Sequence, residues 1–213
     1  MHEQKPFSVA LASGLVEQWD HLTASERREM HTLTEAAHAL EAPCGLLDFI
    51  PRVARGYTRP EHLAPVASIF ERAFAGEPVF ACVSVPPRHG KTEMVLAAIA
   101  WWLSRRPEDA LGFVSYASSF AESKSSRGRD YATAAGVQLH PSRNTLSEWR
   151  TTAGGGLLAT GIGGPLTGQG VRLAVVDDPV KNREEAESAL IRQRTWDWFT
   201  STCLLYTSPS PRD

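Results

Sequence analysis

Cysteine is scarce in this 213-residue chain. Cys44, Cys82 and Cys203 stand far apart, with neither C-x-x-C pairs nor metal-ligand spacing, which excludes a disulfide framework and a zinc site. Long apolar runs are missing as well. None approaches the roughly 18 to 20 residues that span a bilayer, and the opening MHEQKPFSVALASGLVEQWD lacks the basic start and continuous apolar stretch of a signal peptide. A soluble intracellular protein without a membrane partner is expected. No charge of one sign dominates: 22 Lys+Arg against 24 Asp+Glu leave a net charge of -2, with a pI near 6.4. A uniformly basic nucleic-acid coat is therefore excluded, and any contact with DNA has to be local, through clustered arginines. What is present, 42% hydrophobic residues, suffices for one globular domain, or one domain with a small appendage.

Residues 1–59 read as a helical appendage. Thr23, Ala24, Ser25 and Glu26 fit a capping box opening a polar helix through about Leu40, after which Pro43 and Gly45 punctuate the chain. A second helix is expected from Pro60, where Leu63, Val66, Ile69, Phe70 and Phe74 repeat at helical spacing and Gly76 stands at the C-cap. Strand and helix then alternate. Val79–Val85 (VFACVSV) reads as a strand buried on both faces, Thr92 to about Arg106 as a helix ended by Pro107, Leu111–Tyr116 as a strand, and Ser118–Ala135 as a helix. Trp149–Thr160, with Gly154, Gly155 and Gly156, suggests a hairpin on the sheet edge, and Gly161–Gly170 a mobile loop. Arg172–Val176 is a third buried strand, and Glu184–Phe199 a closing helix. Strands separated by helices imply an α/β fold with a parallel sheet and functional loops at the carboxyl ends of its strands. The last residues, 203–213 (CLLYTSPSPRD), resemble one reading-frame translation of a sequencing-library transposon adapter, so native sequence is expected to stop near Thr202.

The chemistry concentrates in two places. Val85, Pro86, Pro87, Arg88, His89, Gly90, Lys91 and Thr92 lie between an expected strand and a helix start, where backbone N–H groups and the helix dipole form an anion site. Gly90 admits a phosphate close to the backbone, Lys91 reaches β and γ phosphates, and the Thr92 hydroxyl is placed to ligate Mg²⁺. The leading glycine of the G-x-x-x-x-G-K-[ST] signature is replaced by Val85, so this is half a motif, and its bland reading is a surface turn. The second half is Leu173–Asp178 (LAVVDD), an apolar strand delivering two carboxylates. Asp177 suits the metal bridging a nucleoside triphosphate, and Asp178 the orientation of an attacking water. Its bland reading is an Asx turn at a strand end. Together the two halves point to an ATPase using ATP and Mg²⁺.

The segments PPRHGKTE (86–93), SYA (115–117), WRT (149–151), AGGG (153–156), GIGGPLTG (161–168), VDDPVK (176–181) and WDW (196–198) make residues 60–202 resemble the ATPase domain of the large terminase subunit of tailed bacteriophages. That family commonly uses the Pro-Pro-Arg-His-Gly-Lys form of the loop. The resemblance implies an additional-strand RecA-like P-loop ATPase that assembles as a homo-oligomeric ring on the procapsid portal in the host cytoplasm. It further implies movement of double-stranded DNA by ATP hydrolysis, with the portal protein and small terminase subunit as partners. A C-terminal nuclease domain is a family property, and its carboxylates are not among these residues. Carried across, Pro87, Arg88, His89, Gly90, Lys91 and Thr92 form the phosphate loop, Thr92 and Asp177 the metal site, and Asp178 the catalytic acid. Many relatives carry Glu at the position of Asp178, one methylene longer. Arg88 is a candidate for stabilising the γ-phosphoryl from within the subunit, and Arg127 or Arg129 from a neighbour. Trp101, Trp102, Trp196 and Trp198 are read as core packing rather than base-stacking surfaces. His62 and His89 are possible adenine or phosphate contacts, though their spacing favours bland roles. Arg52, Arg55 and Arg59 read as a solvated face. The alternatives are another P-loop ATPase such as a helicase, or an assembly module that binds nucleotide without turnover.

Overall fold

The structure, a computed structural model, describes Thr23, residues 44–164, Leu166 and residues 170–203. The expected capping box and polar helix, apart from Thr23, and residues 204–213 lie outside the described residues. Cys44–Asp213 forms one compact unit. Residues 44–59, read from sequence as part of the appendage, therefore belong with the body. The reason is local: α1 (Leu46–Val53) buries Leu46, Phe49, Ile50 and Val53 on one face, and these join the same core as the helix that begins at Lys91.

A short 3-10 turn (Glu61–Leu63) leads into α2 (Ala64–Phe74). The helix from Pro60 is thus confirmed in kind and begins a turn later. Its end is capped by Gly76 at φ +96°, with Gly76 N–H donating to the Ala73 carbonyl and Glu77 N–H to that of Arg72. The next helix, α3 (Lys91–Leu103), buries every residue from Met94 to Leu103. A helix apolar on all sides has to be enclosed on all sides. Phe74 of α2 packs on Trp101 and Trp102 with ring centroids 4.8 and 5.1 Å away. The two indole N–H groups donate to the Cys44 carbonyl and the Asp109 carboxylate, so neither polar tip is stranded in the core.

Five strands make one sheet in the order β2-β3-β4-β1-β5. β1 (Ala110–Ser115) runs parallel to both β4 (Gly156–Gly161) and β5 (Leu173–Val176). β2 (Leu139–Asn144) and β3 (Glu148–Thr151) add antiparallel pairs. The sheet is therefore mixed, parallel only across β4, β1 and β5, and the hairpin expected at the edge reaches the sheet's middle through β4. β5 is the edge strand and is only half-buried, against the expectation of a fully buried one. Residues 79–85, read from sequence as a strand buried on both faces, form no regular element, pair with no strand among the described residues and include no buried residue.

Between β1 and β2, α4 (Ser118–Ala134) buries the small residues Ala121, Ser125, Gly128 and Ala132. Their spacing lines one helical face, so α4 approaches α3 closely; a Cβ on Gly128 would stand 3.5 Å from Leu96. The closing helix is broken into α5 (Arg183–Glu187) and α6 (Ala189–Trp198). Ser188, extended at ψ 113°, ends the first and accepts from the Ile191 N–H to cap the second. A π-helical turn follows at Phe199–Cys203. In the loop after β4, Leu166 is fully buried and Gly164 accepts from the Trp198 indole at 3.2 Å. Trp198 is buried with it, whereas Trp196 is 60% exposed, contrary to the expected core role. Among the described residues no helix is long and apolar enough to cross a membrane.

The β3–β4 turn offers a direct test of these contacts. A Cβ on Gly156 would meet the Trp149 carbonyl oxygen at 2.2 Å, and its φ is +142°; Gly154 also has positive φ, +97°, but open space around it. Gly154→Ala is expected to cost about 1 kcal/mol of backbone strain, and Gly156→Ala about 3 kcal/mol or more because main chain has to move. Urea unfolding of the two variants beside the parent checks the order; equal losses would contradict it.

Candidate functional site

The carboxyl ends of β1 and β5 and the amino end of α3 meet in one place. Gly90 is the N-cap of α3 at φ +82°, and Arg88 two residues earlier is also left-handed at φ +65°. Glycine adopts that geometry without strain and arginine does not. His89 stabilises the bend: its Nδ1–H donates to the carbonyls of Pro86 and Pro87 at 3.2 and 3.0 Å. Those partners only accept, so the proton is on Nδ1. His62 Nε2–H in turn donates to the His89 carbonyl at 3.0 Å. The two histidines thus brace the loop with their rings.

Lys91 and Thr92 then face the end of β5. Lys91 Nζ lies 2.6 Å from Asp178 Oδ1 and 3.1 Å from Asp177 Oδ1, and the Thr92 hydroxyl donates to Asp177 Oδ2 at 2.9 Å. Asp177 is 3% exposed and is tied to β1 by its N–H, which donates to the Val114 carbonyl. Asp178 is more than half exposed and sits at φ +49°. Its carbonyl accepts from the Tyr116 N–H at 3.1 Å and from the Ser115 hydroxyl at 3.4 Å. This seat at the end of β1 holds the left-handed turn that aims the carboxylate at Lys91. Burial works against the ammonium of Lys91, yet the hydrogen bonds it donates to Asp178 and Asp177 outweigh it and raise the pKa above that of an ordinary lysine.

Over the loop lies a cavity of about 470 Å³ lined by Tyr57, Val85, Pro86, Pro87, Arg88, Gly90, Lys91, Thr92, Glu93 and Asp178. The structure thus brings Pro87, Arg88, Gly90, Lys91, Thr92 and Asp178 to one cavity wall, with Asp177 buried against Lys91 and Thr92. Arg127 lies instead on Glu93 of its own chain at 2.5 Å, and Arg129 on the Asn144 side chain at 2.9 Å. Arg59 pairs with Asp48 and Glu61. Cys44 and Cys82 are free thiols, and no cluster of metal-binding side chains occurs among the described residues. Sequence reasoning gave no role to Tyr57 or Glu93. Glu93 carried a signal, being the one acid in the first turn of the helix that opens with Lys91 and Thr92; Tyr57, far from any motif, carried none.

A family model described as terminase large subunit, T4likevirus-type, N-terminal, matches residues 82–213. Among curated proteins none matches significantly.

The paired charges make a pH prediction. Lys91→Ala leaves Asp177 buried beside the Thr92 hydroxyl alone, and an expected loss of about 2 kcal/mol follows. Because the folded-state pKa of Lys91 is raised, its stabilising contribution is complete below the unfolded value of about 10.4 and fades as pH rises through the higher folded value. Thermal unfolding should show a constant gap between parent and variant from pH 7 to pH 9 that closes above about pH 10.4. A gap that closes below pH 9 would contradict the assignment.

Proposed function

The chain belongs to the terminase large subunit family, and from that premise we propose that the compact unit beginning at Cys44 is an ATP-hydrolysing motor of DNA packaging. In this reading it is a RecA-like P-loop ATPase that works as a ring on the portal. It drives double-stranded DNA into a procapsid, with the small terminase subunit as a further partner. The observation that carries the reading is the meeting of four side chains from two distant segments: Lys91 and Thr92 with Asp177 and Asp178, all within 3.1 Å of a partner. A surface turn with a stray lysine, or an Asx turn, accounts for either half and not for their convergence.

The donor set also fits magnesium. Thr92 and Asp177 present hard oxygen donors already 2.9 Å apart, and these two would hold the ion. When bound, it supplies charge neutralisation for the phosphate oxygens. The remaining roles fall to the chain itself. Backbone N–H groups at the start of α3 cradle phosphate, and the ammonium of Lys91 counters its charge. Asp178, at the open side, orients the attacking water; its left-handed turn offsets the methylene it lacks relative to Glu. Arg88, on the cavity wall, stabilises charge that develops on the γ-phosphoryl. Such positioning and electrostatics provide most of the acceleration in phosphoryl transfer.

Lys91→Ala and Asp177→Ala should each lower turnover by about 100-fold or more, with Lys91→Ala also weakening nucleotide binding. Asp178→Asn should keep binding and lose phosphate release. If an arginine of one subunit completes a neighbour's site, turnover per subunit should rise with protein concentration. Phosphate release and equilibrium binding on the same preparations check all three, and binding indifferent to Lys91→Ala would remove the site. Binding without release in the parent would favour a nucleotide-dependent assembly module.

A further inference from the structure

Glu93 is out of place in an anion site. It is the single acid in the first turn of α3, one residue past Thr92, and it lines the cavity over the phosphate loop. A carboxylate there interacts well with the helix dipole but repels a polyphosphate directly. Its side chain is 13% exposed, so water screens it weakly.

Both of its oxygens are taken up by α4. Arg127 donates to Oε1 and the Tyr131 hydroxyl to Oε2, each at 2.5 Å. The two donors are four residues apart and so lie on one face of the helix. Burial, and then the neighbouring carboxylate, raise the Tyr131 pKa, which keeps the phenol protonated as a donor. Arg127 thereby meets the acid beside the phosphate loop of its own subunit.

Resting on the ATP-binding reading above, we infer that Arg127 is a positioning and charge-neutralising residue: with Tyr131 it masks Glu93, so that the cavity accepts a polyphosphate. This replaces its expected use as an arginine reaching a neighbouring subunit's γ-phosphoryl. The two roles differ in what they predict. A mask acts on binding and becomes dispensable once Glu93 loses its charge. An arginine that touches the reacting phosphoryl acts on turnover at saturation, whatever stands at position 93.

The test titrates a fluorescent ATP analogue with Mg²⁺ into the full chain, and measures phosphate release at saturating ATP. The variants are Arg127→Ala, Arg127→Lys, Glu93→Gln and the double variant Glu93→Gln/Arg127→Ala. Arg127→Ala should bind about tenfold more weakly, the scale of one exposed like charge near a polyphosphate. Glu93→Gln should bind at least as tightly as the parent, and the double variant within about twofold of Glu93→Gln. Arg127→Lys, which keeps the charge without the planar fork, should retain binding and guards against a variant that merely misfolds. Maximal turnover should stay within a few-fold for every variant that binds. The inference is overturned if Arg127→Ala binds like the parent, if the double variant stays as weak as Arg127→Ala, or if Arg127→Ala lowers saturated turnover by orders of magnitude. Failure of the parent itself to bind would remove the ATP reading and this inference together, and is distinct from parental binding that Arg127→Ala leaves untouched.

Discussion

One buried charge organises the candidate site. Asp177 is almost fully enclosed, and a carboxylate in that position is tolerated only with an opposite charge and hydrogen bonds around it. The ammonium of Lys91, the hydroxyl of Thr92 and the backbone of β1 provide them. Because those partners come from the start of α3 and the end of β1, satisfying one acid draws three elements to a common point. Asp178 completes the arrangement on the solvent side, at a φ that a side chain resists, and its carbonyl is fastened by Ser115 and Tyr116. Strain of this kind persists where the surroundings determine it, which is typical of working sites.

The scaffold behind this point is arranged to keep α3 from moving. Its ten buried residues from Met94 to Leu103 lie on a helix packed against α1, α2 and α4, and its far end is stapled by Arg105. That guanidinium lies 4.6 Å from the Trp101 ring and donates to the Cys44 carbonyl. On the other side, the small-residue face of α4 allows the close approach at which Glu93 can reach Arg127 and Tyr131. The length and enclosure of α3 thus fix where Lys91 points, and the polar contacts at its first turn refine it.

What could be read beforehand follows from how local each feature is. β1, α4 and the strand that ends in the two acids depend on short patterns, and the structure places them within a residue or two of the expected bounds. β2 was not anticipated because LHPSRN, largely exposed, has no apolar alternation to reveal it. The break at Ser188 was hidden by residues that suit a helix on either side; only the capping bond to Ile191 distinguishes them. The partner of Arg127 was beyond reach for another reason. Its contact spans 34 residues, and the side chain alone gives no sign of whether it meets its own subunit or another.

The segment 79–85 shows the same limit from the opposite direction. Its β-branched, apolar residues call for a strand; yet a strand is a relation between two segments, and no described neighbour supplies the ladder. Val79, Ala81 and Val83 instead face Leu173, Ala174, Val175 and Val176 across a cavity of about 190 Å³. No backbone ladder among the described residues therefore joins the approach to α3 with β5. The contacts that join this part of the chain to the end of β5 are those of Lys91 with the two acids, while His62 and His89 brace the loop itself. A loop positioned by charge rather than by a ladder is also one whose position responds to charge. Any group that competes for Lys91 acts on the very contact that joins α3 to β5, so a change of partner at that ammonium is felt by both elements at once.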